Sequence, residues 1–173
     1  MTTTREMVLI GGVVRSLRQR NSWAGETHIQ KAAYIAKEIR GVPFESEFVL
    51  YKHGPYSFDL NKSVVHMRGR GILSTIQNPG FGPTMEVNEP LWVALDNAIG
   101  HYFSQFEAGI NSVCDVLATK NVGELERLAT AVFLNKSLGD TSIEEKADEM
   151  VRIKPHIPPD LARRAFDEVR ALS

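Results

Sequence analysis

Residues 51–57 read YKHGPYS, and the way the chain passes through them decides the fold. Pro55 removes a backbone donor and biases Gly54 away from the helical region, so the chain must turn here. Before the turn, FESEFVLYKHG reads as a short strand, with Phe48, Leu50 and Lys52 on one side and Val49 and Tyr51 on the other. After it, Ser57 is placed to cap the helix FDLNKSVVHMRG, with Asp59 in the first turn, where the helix dipole favours a negative charge. The core side of that helix is Leu60, Val64 and Met67, while Asn61, Lys62, Val65 and His66 point outward. Gly54, Pro55 and Ser57 are thus expected to form the corner between strand and helix, clamped by the rings of Tyr51 and Tyr56.

Working outward, Val8, Leu9, Gly12, Val13 and Leu17 recur at helical spacing between Arg5 and Gln19. Thr27 and Gln30 have the form of a capping box opening HIQKAAYIAKEIR, which Gly41 and Pro43 end. Past the third helix, the runs 72–77 and 84–87 flank a turn rich in Asn, Pro and Gly, the pattern of a β-hairpin with a loop longer than two residues. Helix, helix, strand, helix, strand, strand is the order of a winged helix-turn-helix, with the hairpin at about 72–87 as wing. From Pro90 the chain reads as helices: PLWVALDNAIGHYFSQFE, INSVCDVLATK, GELERLATAVFLNKSL, IEEKADEMVRI after a Thr141–Glu144 capping box, and LARRAFDEVRAL beyond the prolines of KPHIPPD. The expected fold is mainly α (α+β). One domain spans 1–173, with a winged-helix-like half at 1–89 and a helical bundle at 90–173 packed on it.

With 20 Lys+Arg against 21 Asp+Glu and a formal net charge of −1, the chain lacks the basic excess that supplies affinity in a dedicated nucleic-acid binder. The lone cysteine, Cys114, lies in the apolar stretch NSVCDVLA and can make no internal disulfide, which fits a reducing cytoplasm. The apolar run near the N-terminus is too short to span a bilayer and lacks the small-residue cleavage pattern of a signal peptide. A soluble cytoplasmic protein is expected.

The five histidines are scattered with no metal-ligand spacing, and there is no GxSxG elbow, P-loop or dinucleotide fingerprint. No catalytic residue, metal or cofactor is therefore assigned. Two surfaces remain. Asn61, Lys62 and His66, with Arg68 and Arg70 at the helix end, could meet nucleic acid, although the wing IQNPGFGPTME has no basic residue to grip a backbone. Lys52, His53 and Tyr56 form a polar-aromatic cluster on a rigid turn, a surface suited to anchoring a partner.

Gln30, Lys31 and Tyr34 in the second helix, with Tyr51, His53, Gly54, Pro55, Tyr56 and Ser57 at the turn, resemble the core of the Panacea (SocA-type) antitoxin domain and of YwgA-like proteins. LERLATAVFL (125–134) and IKPHIPPDLARRAFDEVRAL (153–172) resemble the C-terminal half of the YwgA-like type, so the likeness spans most of the chain. It implies a mostly helical module that acts by holding another protein, which in antitoxin members is a toxin, often encoded next door. Carried over, it makes Lys31, Tyr34, Tyr51, Lys52, His53 and Tyr56 the expected partner-binding face, with Gly54 and Pro55 as architecture. The expected function is a non-enzymatic, antitoxin-like protein-binding module; the alternative is a winged-helix DNA-binding regulator.

Overall fold

Helix α1 (Thr4–Gln19) opens the computed structural model, which describes residues 2–80 and 82–173. The Thr3 hydroxyl caps it, accepting from Glu6 N at 3.1 Å. Val8, Leu9, Ile10, Val13, Val14 and Leu17 are fully buried, so α1 is covered almost all round, as its apolar content requires. Helix α2 (Glu26–Arg40) packs against it. The expected Thr27–Gln30 capping box is absent: Gly25 is the N-cap without a side-chain bond, and the Gln30 amide is engaged elsewhere, clamping Ser57. Gly41 ends α2 in the left-handed conformation, φ 64°.

The stretch leading to the YKHGPYS segment is pinned from two sides. The buried Glu6 carboxylate accepts from Glu45 N at 2.8 Å and Ser46 Oγ at 2.5 Å, and Lys37 Nζ donates to Ser46 O at 2.8 Å. Strands β1 (Val49–Tyr51) and β2 (Gly54–Tyr56) then pair antiparallel, Val49 with Tyr56 and Tyr51 with Gly54. This corrects the sequence reading. The turn is Lys52–His53, and Gly54–Pro55 begins a second strand instead of bending one strand into a helix. Pro55 is tolerated because it stands opposite Leu50, between the bonded pairs, where no ladder donor is needed.

Helix α3 (Phe58–Gly69) is capped by Ser57, whose hydroxyl accepts from Leu60 N at 3.1 Å. It buries Leu60, Val64 and Met67 as expected, with Ser63 beside them. Strands β3 (Leu73–Ile76) and β4 (Thr84–Val87) form the wing hairpin, Leu73 opposite Val87; Phe81, in its loop, lies outside the described residues. The N-terminal half thus keeps the expected winged-helix order with one strand added.

The helix expected from Pro90 onward is broken. Helix α4 (Glu89–Ala98) stops, Gly100 and His101 take positive φ of 74° and 57°, and a 3-10 turn (Tyr102–Gln105) precedes α5 (Glu107–Leu117). The cause is Asp96: its buried carboxylate accepts from Phe103 N at 2.9 Å and folds Phe103 into the core. Helix α6 (Val122–Leu138) starts with an Asn121–Glu124 capping box. Helix α7 (Ile143–Ile153) starts with a Ser142–Glu145 box, one residue past the Thr141–Glu144 pair expected. Helix α8 (Pro159–Leu172) closes the chain. One apolar core, Cys114 within it, runs from α1 and α2 through α5 and α6 to α8, so the structure is mainly helical with two small hairpins. No helix among the described residues is long and apolar enough to cross a membrane.

His28, in the first turn of α2, is buried against the end of α5. Burial lowers its pKa below 6.5, outweighing the Lys120 and Leu117 carbonyls that favour the protonated ring. The unfolded chain therefore binds this proton more tightly, and stability is lost as pH falls below about 6.5. His28→Gln should flatten the acid limb of a plot of Tm against pH between about 6.5 and 5; an unchanged limb would place the titration elsewhere.

Candidate functional site

Three stretches far apart in sequence meet behind the β1–β2 hairpin. From α2, Gln30 holds the backbone of Ser57 by both ends of its amide, Nε2 donating to Ser57 O and Oε1 accepting from Ser57 N, each at 2.9 Å. One residue further along α2, Lys31 Nζ donates to Pro55 O at 2.8 Å. From the link between α7 and α8, Lys154 Nζ donates to Tyr51 O at 2.8 Å and to Lys52 O. From α6, Glu126 stands 3.4 Å from Lys154 Nζ and 3.3 Å from His156 Nε2, with His53 Nδ1 at 3.8 Å. Lys31, Glu126 and Lys154 are all buried, so three formal charges sit out of water directly beneath the turn.

The electrostatics follow from that burial. Desolvation brings the Lys31 ammonium from 10.5 down to about 8; Glu126 opposes the shift and Lys154 adds to it. Gly54, with φ 81°, fits over α6 where no larger residue could: a Cβ there would stand 2.9 Å from Thr130 Oγ1 and 3.3 Å from Glu126 O. The arrangement grips the hairpin from below by its carbonyls and leaves its outer side free.

That outer side is apolar. Val49, Tyr51 and Phe58 are each about half exposed, at 50%, 45% and 50%. The rings of Tyr51, Tyr56 and Phe58 touch pairwise, with centroids 5.1 to 5.9 Å apart. Tyr56 also donates its hydroxyl to Glu26 at 2.7 Å, and Lys52 Nζ lies 6.0 Å over the Tyr51 ring. Tyr51, Lys52, His53 and Tyr56 therefore gather on one face. Lys31 and Tyr34 do not join it. Both are 2% exposed, Lys31 bound to the Pro55 carbonyl and Tyr34 packed at a tilt against Phe48 with centroids 5.1 Å apart, so their part in an outer face is corrected to a place in the interior. Gly54, Pro55 and Ser57 are structural, though as a strand and a cap.

On α3, Asn61 is half-buried and Lys62 pairs with Asp59 of its own helix at 3.1 Å, while His66, Arg68 and Arg70 are exposed without an ion pair among the described residues. No group of three or more metal-ligating side chains is assembled among the described residues.

Glu126 and Thr130 in LERLATAVFL, and Lys154 and His156 in IKPHIPPD, meet the turn, a convergence that lies beyond the local spacing of either stretch. Their one sequence signal was chemical: a glutamate inside an apolar helical frame and a lysine at a proline break. Phe58 and Val49 were missed because exposure of an apolar residue has no sequence mark. No family model matches the chain, and no curated protein matches it.

Proposed function

We propose that the chain is a non-enzymatic, antitoxin-like protein-binding module that neutralises or regulates a partner protein by direct contact through the hairpin tip and the start of α3. The observation that carries this reading is the apolar face of Val49, Tyr51 and Phe58, with Tyr51 and Phe58 in ring contact and Val49 two residues before Tyr51 on the same side of β1, mounted on a hairpin that buried ions hold from behind. Exposed aromatics on a rigid support are what a binding hot spot needs, since little ordering is left to oppose association. Lys52 at the tip adds a positive charge that suits an acidic rim on the partner, and His53 beside it adds an exposed ring with hydrogen-bonding nitrogens. A toxin as partner rests on the likeness of the turn motif to antitoxin domains.

The test is co-expression. A gene neighbouring this one should be toxic alone and tolerated beside it, and the two proteins should co-purify. Tyr51→Ala with Phe58→Ala should weaken that complex at least ~100-fold, and Lys52→Ala with His53→Ala about 10-fold, with circular dichroism unchanged. Neighbours harmless on their own, or a complex indifferent to all four changes, would remove the proposal.

A second reading is DNA binding through α3, favoured by His66, Arg68 and the C-cap Arg70, which are exposed and without an ion pair among the described residues. It predicts retention on heparin that weakens steeply with salt. The wing, without a basic residue, and the net charge of −1 weigh against it.

A further inference from the structure

Between the first turn of α2 and the β1–β2 hairpin lies a cleft of about 310 Å³. Tyr51, Tyr56 and Thr27 form its walls, Lys52 and His53 its rim, and Lys31 part of its floor. Its surface is mostly apolar, which is how small-molecule sites are built, with a few polar groups to fix orientation.

The polar group at the bottom is out of balance. Beneath the hairpin two buried ammoniums, Lys31 and Lys154, share one buried carboxylate, Glu126. Lys154 lies within 3.4 Å of it and also holds two carbonyls. Among the described residues Lys31 has one side-chain hydrogen bond, to Pro55 O, although an ammonium carries three donors. Glu26 is the other acid near Lys31, but it is exposed at the rim, where water screens it, and it accepts from the Tyr56 hydroxyl. Buried charges are normally matched, and here one positive charge is left over at the floor of an apolar cleft.

We infer that this cleft is a binding site for a small organic carboxylate with an apolar body, the anion meeting Lys31 and the body lying between Thr27, Tyr51 and Tyr56. The site does not depend on a protein partner. The same chemistry could arrive as a free metabolite or as the C-terminal carboxylate of a chain ending in an apolar residue.

Phenylacetate and its uncharged analogue phenylacetamide are suitable probes, titrated into the full chain labelled with nitrogen-15. Phenylacetate should shift the Gly54 and Tyr56 amides and bind at least ~10-fold more tightly than phenylacetamide. Lys31→Met should abolish that preference. Thr27→Phe, which fills the cleft and leaves the ion cluster untouched, should abolish binding of both and keeps the test open should Lys31→Met not fold. Because burial holds Lys31 at about 8, an entering carboxylate should raise it, so binding at pH 8 should take up protons, read as an enthalpy that changes with the buffer. A peptide with a free C-terminal phenylalanine that binds ~10-fold more tightly than phenylacetate, while its amidated form does not, would identify the source as a chain terminus; parity would identify a free metabolite. No amide shift up to about 20 mM, equal affinity for acid and amide, or binding that survives Thr27→Phe would overturn the assignment.

Discussion

Glu126→Gln is expected to lower the unfolding free energy by about 3–5 kcal/mol, because it keeps the shape of the side chain and removes the one anion between two buried cations. Lys31 and Lys154 would remain out of water with no buried counter-charge, and an uncompensated buried ion is far more costly than a lost surface pair. His53 and His156 also face Glu126, but both are well exposed, and their loss of a partner should matter little. Urea unfolding of Glu126→Gln, Lys154→Met and the double variant gives the coupling directly: removing both charges should recover part of the loss. A change below about 1 kcal/mol in the single variant would mean that water reaches the cluster and that the ions do not set the hairpin. The pH dependence supplies a second reading of the same cluster. With Lys31 at about 8 in the fold and 10.5 as its ordinary value, the unfolded chain holds more protons across that window, so this group makes stability rise from pH 8 to 10.5. Glu126 holds the Lys31 value up, so its removal should extend the lower end of the window toward neutrality.

The same substitution separates support from contact. Glu126 is buried and touches no partner that docks outside, yet the hairpin carbonyls of Tyr51 and Lys52 hang from Lys154, its ion-pair mate. Faster hydrogen exchange at the tip should therefore accompany Glu126→Gln, and so should weaker binding of the proposed partner, even though every exposed residue of the proposed docking face is unchanged.

What the sequence made legible was local. The cap at Ser57, the core stripe of α3 and the glycine that ends α2 were all readable, since each depends on residues within a turn of one another. Where reading failed, a distant group had taken over. Gln30 looked like half of a capping box because the spacing fits, but its amide is held by Ser57, 27 residues on. Asp96 looked like one more polar position in a long helix, and its bond to Phe103 N ends that helix. Lys31 and Tyr34 were expected on an outer face and lie inside: a lysine is rarely buried, and the Pro55 carbonyl and Glu126 explain why this one is. The turn itself was placed two residues late because a Gly-Pro pair normally interrupts a strand. It continues one here only because Pro55 stands opposite Leu50, between the bonded pairs.

Gly54→Ala is the second large effect expected, a loss of about 3 kcal/mol or more, and Gly41→Ala is its control. Both glycines have positive φ, 81° and 64°, so each alanine would bear the left-handed penalty of about 1 kcal/mol. Their surroundings differ. A Cβ on Gly41 meets nothing within 4 Å, whereas on Gly54 it would press Thr130 Oγ1 at 2.9 Å and the Glu126 carbonyl at 3.3 Å. The hydroxyl belongs to a fully buried side chain and the carbonyl to the backbone of α6, so the hairpin must lift instead. Lifting it would stretch the Lys31 bond to Pro55 O and the Lys154 bonds to Tyr51 O and Lys52 O, whose buried donors have little else to reach. The difference between the two alanine variants in chemical denaturation thus isolates the contact from the backbone term, and about 2 kcal/mol is the expected gap. Thr130→Ala placed with Gly54→Ala should recover about 1 kcal/mol of it, because the nearer of the two obstacles is then gone. Equal losses at positions 41 and 54 would show that the hairpin does not rest on α6 and that the proposed docking face has no rigid floor.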